Sequence, residues 1–508
     1  MAEPPSEATD QPVAPHAAPR SRESLGWLSS MLMHTTLFVV MALSSFPELP
    51  GADAPTLDVE TVALERPDSL DLLDLAALEL ESVEIETASV DPPELSGASA
   101  PQVSESFDSS DISAFVNLSS DAISAPVLGD STGVAGVGVM GRAEGARESL
   151  VLAKGGSRAT EVAVARGLKW IAEHQNPNGT WSLVHTAGPC RGRCDHPARI
   201  SNNETAFERS LTSGTALALL PFLGAGETHL SGRHKRVVER GLDALIRLGK
   251  PDDEAPGASW MDSGRLYAHG ISAIVLCEAY GMTRDPQLKS AAQASIDYLA
   301  HAQDPAGGGW RYRPQQPGDT SVTGWQIMAL KSAQLAELDT PRRVVRRATR
   351  FLNSTQSING QRYGYLPPEG DREESTATRT LTAVGLLCRM YLGWDQEDER
   401  LKKGAEWLVE RGPHEGNYYH NYYAAQTLFH LTGGEGPMWR EWNEPMREQL
   451  INQQETRGHA RGSWWVEGPH NERGGRLYMT ALATMTLEVY YRYLPLYRSE
   501  AVQTELPD

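Results

Sequence analysis

Asp319, His269 and His420 are the three side chains whose type and position best suit acid or base chemistry. Each lies at or just before the start of an apolar segment, in the stretches DTSVTGWQ, YAHGISAIV and YYHNYYAAQ. Burial shifts the pKa of an imidazole, which suits a general base or a ligand. Alternatively, Asp319 caps the helix that follows it, and the histidines are hydrogen-bonded core residues. We predict these three as catalytic candidates.

Other polar and aromatic residues recur near the starts of the same kind of segment. Aromatic faces can stabilise a cation, and polar groups that converge on one cavity are typical of a binding site. The alternative for the aromatic residues is ordinary packing. The predicted ligand-binding residues are Arg265, Tyr267, Thr323, Trp325, Tyr419, Tyr422, Arg476 and Tyr478.

Cys190 and Cys194 lie close together in the polar stretch HTAGPCRGRCDHP. Outside the cytoplasm such a pair favours a local disulfide. Because His185 and His196 flank the pair, a metal site is the alternative, although the spacing is not a standard zinc pattern. We predict no metal and no cofactor, since the chain also lacks HExxH and the phosphate-binding pattern GxxxxGK[ST].

A recurring phrase, a helix followed by Gln, Gly and Trp, organises these residues. It is clearest in QNPNGTW, from Gln175 to Trp181, and returns from Gln303, Gln356 and Gln454. A repeat of about 50 residues indicates stacked copies of one helical unit. Amphipathic segments alternate with segments that are apolar nearly all round, which predicts outer and inner helices. The predicted fold is all-α, an α/α toroid of six helical hairpins that close into a double-layered ring over residues 159–497.

The Gln and Trp of each repeat are predicted to brace the structure. The Gln amide would pair with free backbone groups at a helix end, and the Trp would cover it.

The phrase QNPNGTW matches the Gln-x3-Gly-x-Trp motif of squalene and oxidosqualene cyclases. With the paired helices, residues 160–497 resemble the terpenoid cyclase and protein prenyltransferase superfamily, whose fold is an α/α toroid. Stretches such as GRLYAHG and GGRLYMTALATMTLEVYYR also resemble membrane-anchored repeat proteins of planctomycete type. The resemblance implies a hydrophobic, isoprenoid-like ligand and, if the domain is catalytic, an isomerase or a transferase.

Two catalytic patterns of that superfamily are incomplete here. The Asp-x-Asp-Asp acid of class II cyclases is absent from the sequence, and PDDE at 251–254 has the wrong spacing. In the zinc pattern of protein prenyltransferases, Asp319 and His420 match, but Ser321 stands where the Cys belongs. Serine is a poor zinc ligand, so the resemblance does not carry over the zinc site.

The net charge of −20 and the composition of the N-terminal part set the cellular context. Residues 24–47 contain no Asp, Glu, Lys or Arg, and this uncharged run is long enough for a membrane span. Two arginines precede it, which places the N-terminus in the cytoplasm by the positive-inside rule. A cleaved signal peptide and a membrane-surface helix are the alternatives. Residues 48–158 are acidic, with little to bury, and predict a disordered linker. Residues 1–23 and 498–508 are predicted tails, and nucleic-acid binding is disfavoured.

Together these features predict a helical ring held outside the cytoplasm by a single-pass anchor whose N-terminus is cytoplasmic. Its predicted role is to bind a hydrophobic small molecule in the central cavity, and the sequence leaves open whether a reaction follows. A non-catalytic module that binds an envelope protein is one alternative. A polysaccharide lyase or hydrolase is another, but it needs paired carboxylates, for which Glu373, Glu374 and Asp319 are the candidates.

Overall fold

The computed structural model describes residues 144–200, 205–252, 254–368 and 377–493. The predicted anchor, both predicted tails and most of the predicted linker therefore lie outside the described residues, as do Glu373 and Glu374. Within the described ranges, no helix combines the length and the apolar character that a membrane crossing requires.

The helical part begins before residue 159. Helix α1 (Glu144–Ala153) lies inside the segment predicted as linker. Its Val151 is buried, and the helix packs against α15 (Val489–Arg492) near the other end of the described chain. Arg147 attaches α1 to the rest of the helical part, because its guanidinium pairs with Glu161 at 2.6 Å and lies over the ring of Tyr491.

Twelve longer helices of the described residues alternate between an outer and an inner layer, as the sequence predicts. The outer helices are α2 (Arg158–Glu173), α5 (Lys235–Leu248), α7 (Pro286–Ala302), α9 (Arg342–Thr355), α11 (Glu399–Arg411) and α13 (Gly436–Gln453). The inner helices are α4 (Leu211–Gly224), α6 (Arg265–Thr283), α8 (Thr320–Leu335), α10 (Arg379–Tyr391), α12 (Tyr418–Thr432) and α14 (Pro469–Leu487). A short helix, α3 (Ala206–Arg209), precedes α4.

Composition accounts for the two layers. The outer helix α9, RRVVRRATRFLNST, buries one stripe of Val, Ala, Phe and Leu and leaves its arginines at the surface. The inner helix α4, LTSGTALALLPFLG, is buried at every position after its first residue. An apolar helix of this kind must be surrounded on all sides, whereas an amphipathic helix needs only one covered face.

The inner helices contact one another in a cyclic order. Each of α4, α6, α8, α10 and α12 packs against the next, and α14 packs back against α4. In the outer layer, α13 packs against α2, so the last hairpin meets the first there too. Two short antiparallel pairs, β1 (Lys250–Pro251) with β2 (Ala258–Ser259) and β3 (Gln356–Ser357) with β4 (Arg362–Tyr363), stiffen the connections.

The Gln and Trp of the repeats do form a brace, with partners different from those predicted. The indole N–H of Trp181 donates to the carbonyl of Ile171 in the last turn of α2 at 2.7 Å. The amide of Gln175 donates to its own turn at Gly179 and to Val237 of the next outer helix, at 3.0 and 2.9 Å. The indole therefore pairs with the helix end, and the Gln links neighbouring repeats.

The same brace joins the last repeat to the first. Gln454 donates to Gly462 of its own turn and to Ala163 of α2, at 3.0 and 2.8 Å. Only glycine fits at position 462, for two reasons. Gly462 has φ +93°, and a Cβ atom there would lie 2.4 Å from the carbonyl oxygen of Arg166.

Candidate functional site

Aromatic side chains of two inner helices fill the centre between the inner helices. The indole of Trp325 on α8 stacks on Tyr422 of α12 with ring centroids 5.8 Å apart, and it meets the edge of Tyr423 at 5.7 Å. Tyr419 lies 4.8 Å from Tyr423. These four residues, the aromatic cluster, are at most 3% exposed. The predicted open hollow is therefore occupied at this level by packed rings, because the large side chains of α8 and α12 point inward.

A chain of hydroxyl groups borders the aromatic cluster. The hydroxyl of Tyr267 on α6 donates to Ser321 Oγ at 2.8 Å, and Ser321 Oγ lies 2.9 Å from the hydroxyl of Tyr419. Burial raises the pKa of Tyr267 and of Tyr419, so both phenols are neutral near pH 7. The chain joins three inner helices, and it shows that their first turns lie close together.

Tyr478 lies on α14, which packs against α12, and it is close enough to Tyr419 for the two phenols to interact. Burial raises its pKa well above the ordinary value, and the neighbouring Tyr419 adds to the shift. The side chain is 2% exposed, and its hydroxyl has no hydrogen-bond partner among the described residues. It is a buried polar group that a small molecule at the centre would be able to pair with.

A cluster of arginine and tyrosine side chains lies at the rim, above the hydroxyl chain. The Arg311 guanidinium lies over the rings of Tyr312 and Tyr365, at 5.2 and 5.7 Å, and Arg265 lies over Tyr312 at 5.9 Å. The two tyrosine hydroxyls are 2.6 Å apart. Arg311 Nε also lies 3.8 Å from Asp319 Oδ2. We call these four residues, Arg265, Arg311, Tyr312 and Tyr365, the rim cluster.

Of the rim cluster, the sequence pattern predicted Arg265 and did not predict Arg311, Tyr312 or Tyr365. The available signal was their position: Arg311 and Tyr312 directly follow Trp310 of the repeat phrase.

Asp319 acts as a helix cap. Its Oδ1 accepts the backbone N–H of Val322 at 2.8 Å, and its own N–H donates to the carbonyl of Trp310 at 2.9 Å. The carboxylate is fully buried, with the Arg311 guanidinium as its neighbour. The structure thus shows the capping role, and it also places this residue next to the rim cluster.

The two histidines point away from the centre. His269 Nδ1 accepts the backbone N–H of Trp260 at 3.2 Å, which leaves Nε2 to donate to the carbonyl of Ser295 on the outer helix α7 at 3.0 Å. His420 lies edge-on to Trp442 of the outer helix α13, with ring centroids 5.6 Å apart. Both lie between the layers, and burial lowers the pKa of His269 to about 4 and that of His420 well below its ordinary value.

This geometry gives no support to their assignment as catalytic residues, which stays a prediction. His269 occupies a bracing position that is a threonine in other repeats. There, Thr215, Thr323 and Thr480 accept the backbone N–H of Trp181, Trp310 and Trp464 through their hydroxyls. Thr323, predicted to bind ligand, is likewise a brace.

Arg476 is also placed differently from the prediction. Its Nη1 donates to Ser463 Oγ at 3.0 Å, and its Nε donates to the carbonyl of Asp195 at 3.2 Å. It holds the loop of residues 182–200 against the start of α14 and does not face the aromatic cluster. Only tertiary contacts between the first and last repeats reveal this role.

The cysteine loop brings a second group of side chains together. Cys190 and Cys194 are free thiols in the structure, so the predicted disulfide is not formed. Of the predicted flanking histidines, His196 stacks on Trp465, and His185 packs beside Trp170 with its ring centroid 5.6 Å from that of His174. Neither is one of the candidate ligands. Two histidines distant in sequence join the thiols instead. The group comprises His174, Cys190, Cys194 and His459, and its four candidate ligand atoms lie within 4.8 Å of one another.

A buried ion network lies at the other ends of the inner helices. The Arg492 guanidinium donates to both carboxylate oxygens of Glu278, at 3.1 and 3.2 Å, and to the carbonyl of Leu220 at 2.7 Å. Glu488 adds a carboxylate 3.6 Å away. The network joins α4, α6 and Glu488, the residue that follows α14, to Arg492 at the end of α15, and no pattern in the sequence predicted it.

A cavity of about 300 Å³ within the described residues lies away from the centre. It opens at the surface between the turn before α11 and the start of α13, and Glu397, Lys402 and Met438 are among its lining residues. Its Lys402 pairs with Glu397 at 2.6 Å, and its Glu435 pairs with Lys154 at 2.6 Å. The cavity therefore gives no sign of the predicted hydrophobic site.

No protein-family model and no curated protein matches the chain. Among solved structures, an inactive variant of the α-1,6-mannanase GH76A of Salegentibacter sp. HEL1_6 has a TM-score of 0.47 and 12% identity, over 66% of this chain and 99% of that chain. A glycoside hydrolase family 76 mannosidase of Bacteroides thetaiotaomicron VPI-5482 has a TM-score of 0.46 and 12% identity, over 66% of this chain and 98% of that chain. The apo type II terpene cyclase MstE of Scytonema has a TM-score of 0.41 and 14% identity, over 66% of this chain and 97% of that chain. With every one of these TM-scores below 0.5, the similarities say nothing about substrate or reaction.

Proposed function

We propose that this domain is a closed α/α toroid that binds a hydrophobic, isoprenoid-like molecule carrying a polar group. The apolar part of the ligand would lie against the aromatic cluster, and the polar part would pair with the hydroxyl groups beside it. The observation that carries the proposal is the Tyr478 hydroxyl, which is buried next to Tyr419 and has no partner among the described residues.

Energetics support a polar group on the ligand. A buried hydroxyl without a hydrogen bond costs about 1–3 kcal/mol, and a ligand hydroxyl or carbonyl near Tyr478 would remove that cost. The faces of Trp325 and the surrounding tyrosines supply the apolar contact, at roughly 25 cal/mol per Å² of buried apolar area. A purely apolar molecule would gain from the buried apolar area but would leave the Tyr478 hydroxyl without a hydrogen bond.

The rim cluster suits the side of the domain from which the ligand would enter. Arg311 is 28% exposed in its side chain, and its planar guanidinium suits recognition of an acidic or hydroxyl-bearing head group. Because the aromatic cluster is packed, Trp325 and Tyr422 have to separate before the apolar part enters. We therefore expect slow association, limited by this rearrangement.

The geometry favours binding over proton-initiated cyclisation. The acid in such a reaction must donate a proton to an alkene, whereas Asp319 caps helix α8 by accepting the backbone N–H of Val322 at 2.8 Å. His269 and His420 face the outer layer. An isomerase or transferase activity would need groups other than the three predicted ones.

We further propose that residues 24–47 anchor the domain in the membrane and that the acidic linker holds it outside the cytoplasm. The support is the uncharged run after Ser24 and the arginines before it. A lipid-soluble ligand would then be available from the bilayer itself. Protease protection of full-length protein in sealed cells tests this topology, because a cytoplasmic domain would stay intact.

The ligand proposal is tested with the full-length protein in detergent and geranylgeraniol as the probe, followed by native mass spectrometry. We expect a one-to-one complex. Tyr478→Phe should weaken binding by about tenfold, the equivalent of one hydrogen bond of about 1.4 kcal/mol, and Trp325→Ala should weaken it more.

The matched controls are Tyr280→Phe, at the far end of α6, and Trp407→Ala, on the outer helix α11; both should leave affinity unchanged. The proposal is wrong if the wild type retains no probe, or if the central variants and the controls bind alike.

A further inference from the structure

The four side chains His174, Cys190, Cys194 and His459 have the geometry of a tetrahedral metal site. Cys194 Sγ lies 3.6 Å from His174 Nε2 and 3.1 Å from His459 Nδ1, and Cys190 Sγ lies 3.8 Å from His459 Nδ1. Zinc bonds of about 2.3 Å to sulfur and 2.0–2.1 Å to nitrogen, at tetrahedral angles, separate S and N by about 3.5 Å. The observed separations scatter around that value.

The surroundings orient these side chains as metal ligands. His174 Nδ1 lies 2.6 Å from the carbonyl of Trp170, so Nδ1 carries the hydrogen and Nε2 is left with its lone pair toward the cysteines. The backbone N–H of Cys194 donates to Cys190 Sγ at 3.2 Å, a bond that stabilises a thiolate. His174, Cys190 and Cys194 are each at most 3% exposed.

We propose that these four residues bind one zinc ion as a structural site. Two thiolates and two imidazoles are the ligand set that selects zinc among common divalent metals. All four positions of the tetrahedron come from the protein, which is typical of a structural site, whereas a catalytic zinc keeps one position for water or substrate.

The position of the site gives it a specific role. His174 follows the last residue of α2 in the first repeat, the cysteines lie in the loop of residues 182–200, and His459 lies in the Gln–Gly–Trp turn of the last repeat. The zinc ion would therefore connect the two ends of the ring. It would also fix the cysteine loop, whose Asp195 and His196 carbonyls accept hydrogen bonds from Arg476 at the start of α14.

Metal content and ligand-field spectra of the full-length protein test the site. We expect about one zinc per chain after purification without added chelator. Replacement by Co²⁺ should give the visible absorption bands of a tetrahedral ion together with a thiolate charge-transfer band. The double variant Cys190→Ser/Cys194→Ser and the single variant His459→Ala should lose the metal. Cys277→Ala, at a buried cysteine of α6, should keep it.

Limited proteolysis measures the structural role on the wild-type chain, even if a variant fails to fold. Arg191 and Arg193 are exposed in the cysteine loop, and trypsin can reach their backbone only when the loop opens. At a zinc concentration 100 times Kd, the metal should slow cleavage there by about 100-fold relative to chelated protein. Cleavage after Lys289 on α7 should not change.

Three results would overturn the proposal. The first is a wild-type protein without zinc whose mass is lower by the two thiol hydrogens, which means a disulfide. The second is zinc retained by the double cysteine variant, which places the metal elsewhere. The third is Co²⁺ bound without a thiolate band. None of these outcomes depends on the ligand proposed for the aromatic cluster.

Discussion

Replacing His269 tests the assignment of this residue as a brace between the layers. In the folded protein burial lowers its pKa to about 4, against 6.5 for an ordinary histidine. Below about pH 6.5 the unfolded chain thus binds a proton that the folded protein does not. Stability contributed by neutral His269 is complete above pH 6.5 and is lost as the pH falls toward 4.

The size of this loss follows from the two pKa values. Between about pH 7.5 and pH 5.5 the protonation of His269 in the unfolded chain should reduce the free energy of unfolding by about 1.3 kcal/mol. His269→Gln removes the titration and can keep both hydrogen bonds, since an amide has an acceptor for the Trp260 N–H and a donor for the Ser295 carbonyl. His269→Ala leaves both backbone groups buried and unpaired, at about 1–3 kcal/mol each.

Urea unfolding of the wild type and the two variants at both pH values gives these quantities. Other buried histidines also titrate, so the test is the difference between proteins: His269→Gln should lose about 1.3 kcal/mol less than the wild type on acidification. His301→Gln, at a half-buried histidine of α7, is the control. Equal acid sensitivity of the wild type and His269→Gln, together with a negligible cost of His269→Ala, would refute the brace.

Two further changes probe the scaffold. Trp310→Phe keeps an aromatic ring, smaller than the indole, and leaves the buried carbonyl of Leu299 without its indole donor, which lies at 2.9 Å in the wild type. The free energy of unfolding should fall by at least about 1–3 kcal/mol, and an unchanged denaturation midpoint would count against the brace. Arg492→Met removes the Nη2 group that donates to both carboxylate oxygens of Glu278 and should cost about 3–5 kcal/mol. Adding Glu278→Gln should recover part of that loss, and a double variant as unstable as the sum of the singles would show that the pair is not coupled.

The layering of the domain was accessible from sequence because it depends on composition averaged over whole helices. The segment RRVVRRATRFLNST can bury only one stripe, and LTSGTALALLPFLG can be surrounded on all sides. The repeat phrase also marked its first turn, since only glycine tolerates the positive φ and the close backbone approach at Gly179. Trp260 was missed as a brace because its repeat lacks the preceding Gln.

The direction of individual side chains was not accessible. Successive residues of a helix point about 100° apart, so Tyr419 faces the centre while His420, the next residue, faces the outer layer. Tyr267 and His269 divide in the same way. An amphipathic helix reveals its buried face in the sequence, whereas an inner helix that is apolar on all sides gives no such signal.

The chain by itself determined a helical repeat with two layers and a brace in each turn, because these properties are local and recur about every 50 residues. Only the tertiary structure decided which side chains meet, since His174 and His459 come together where the last repeat packs on the first. Contacts across that distance in sequence depend on the summed geometry of every hairpin between them, and no local pattern of residues records that sum.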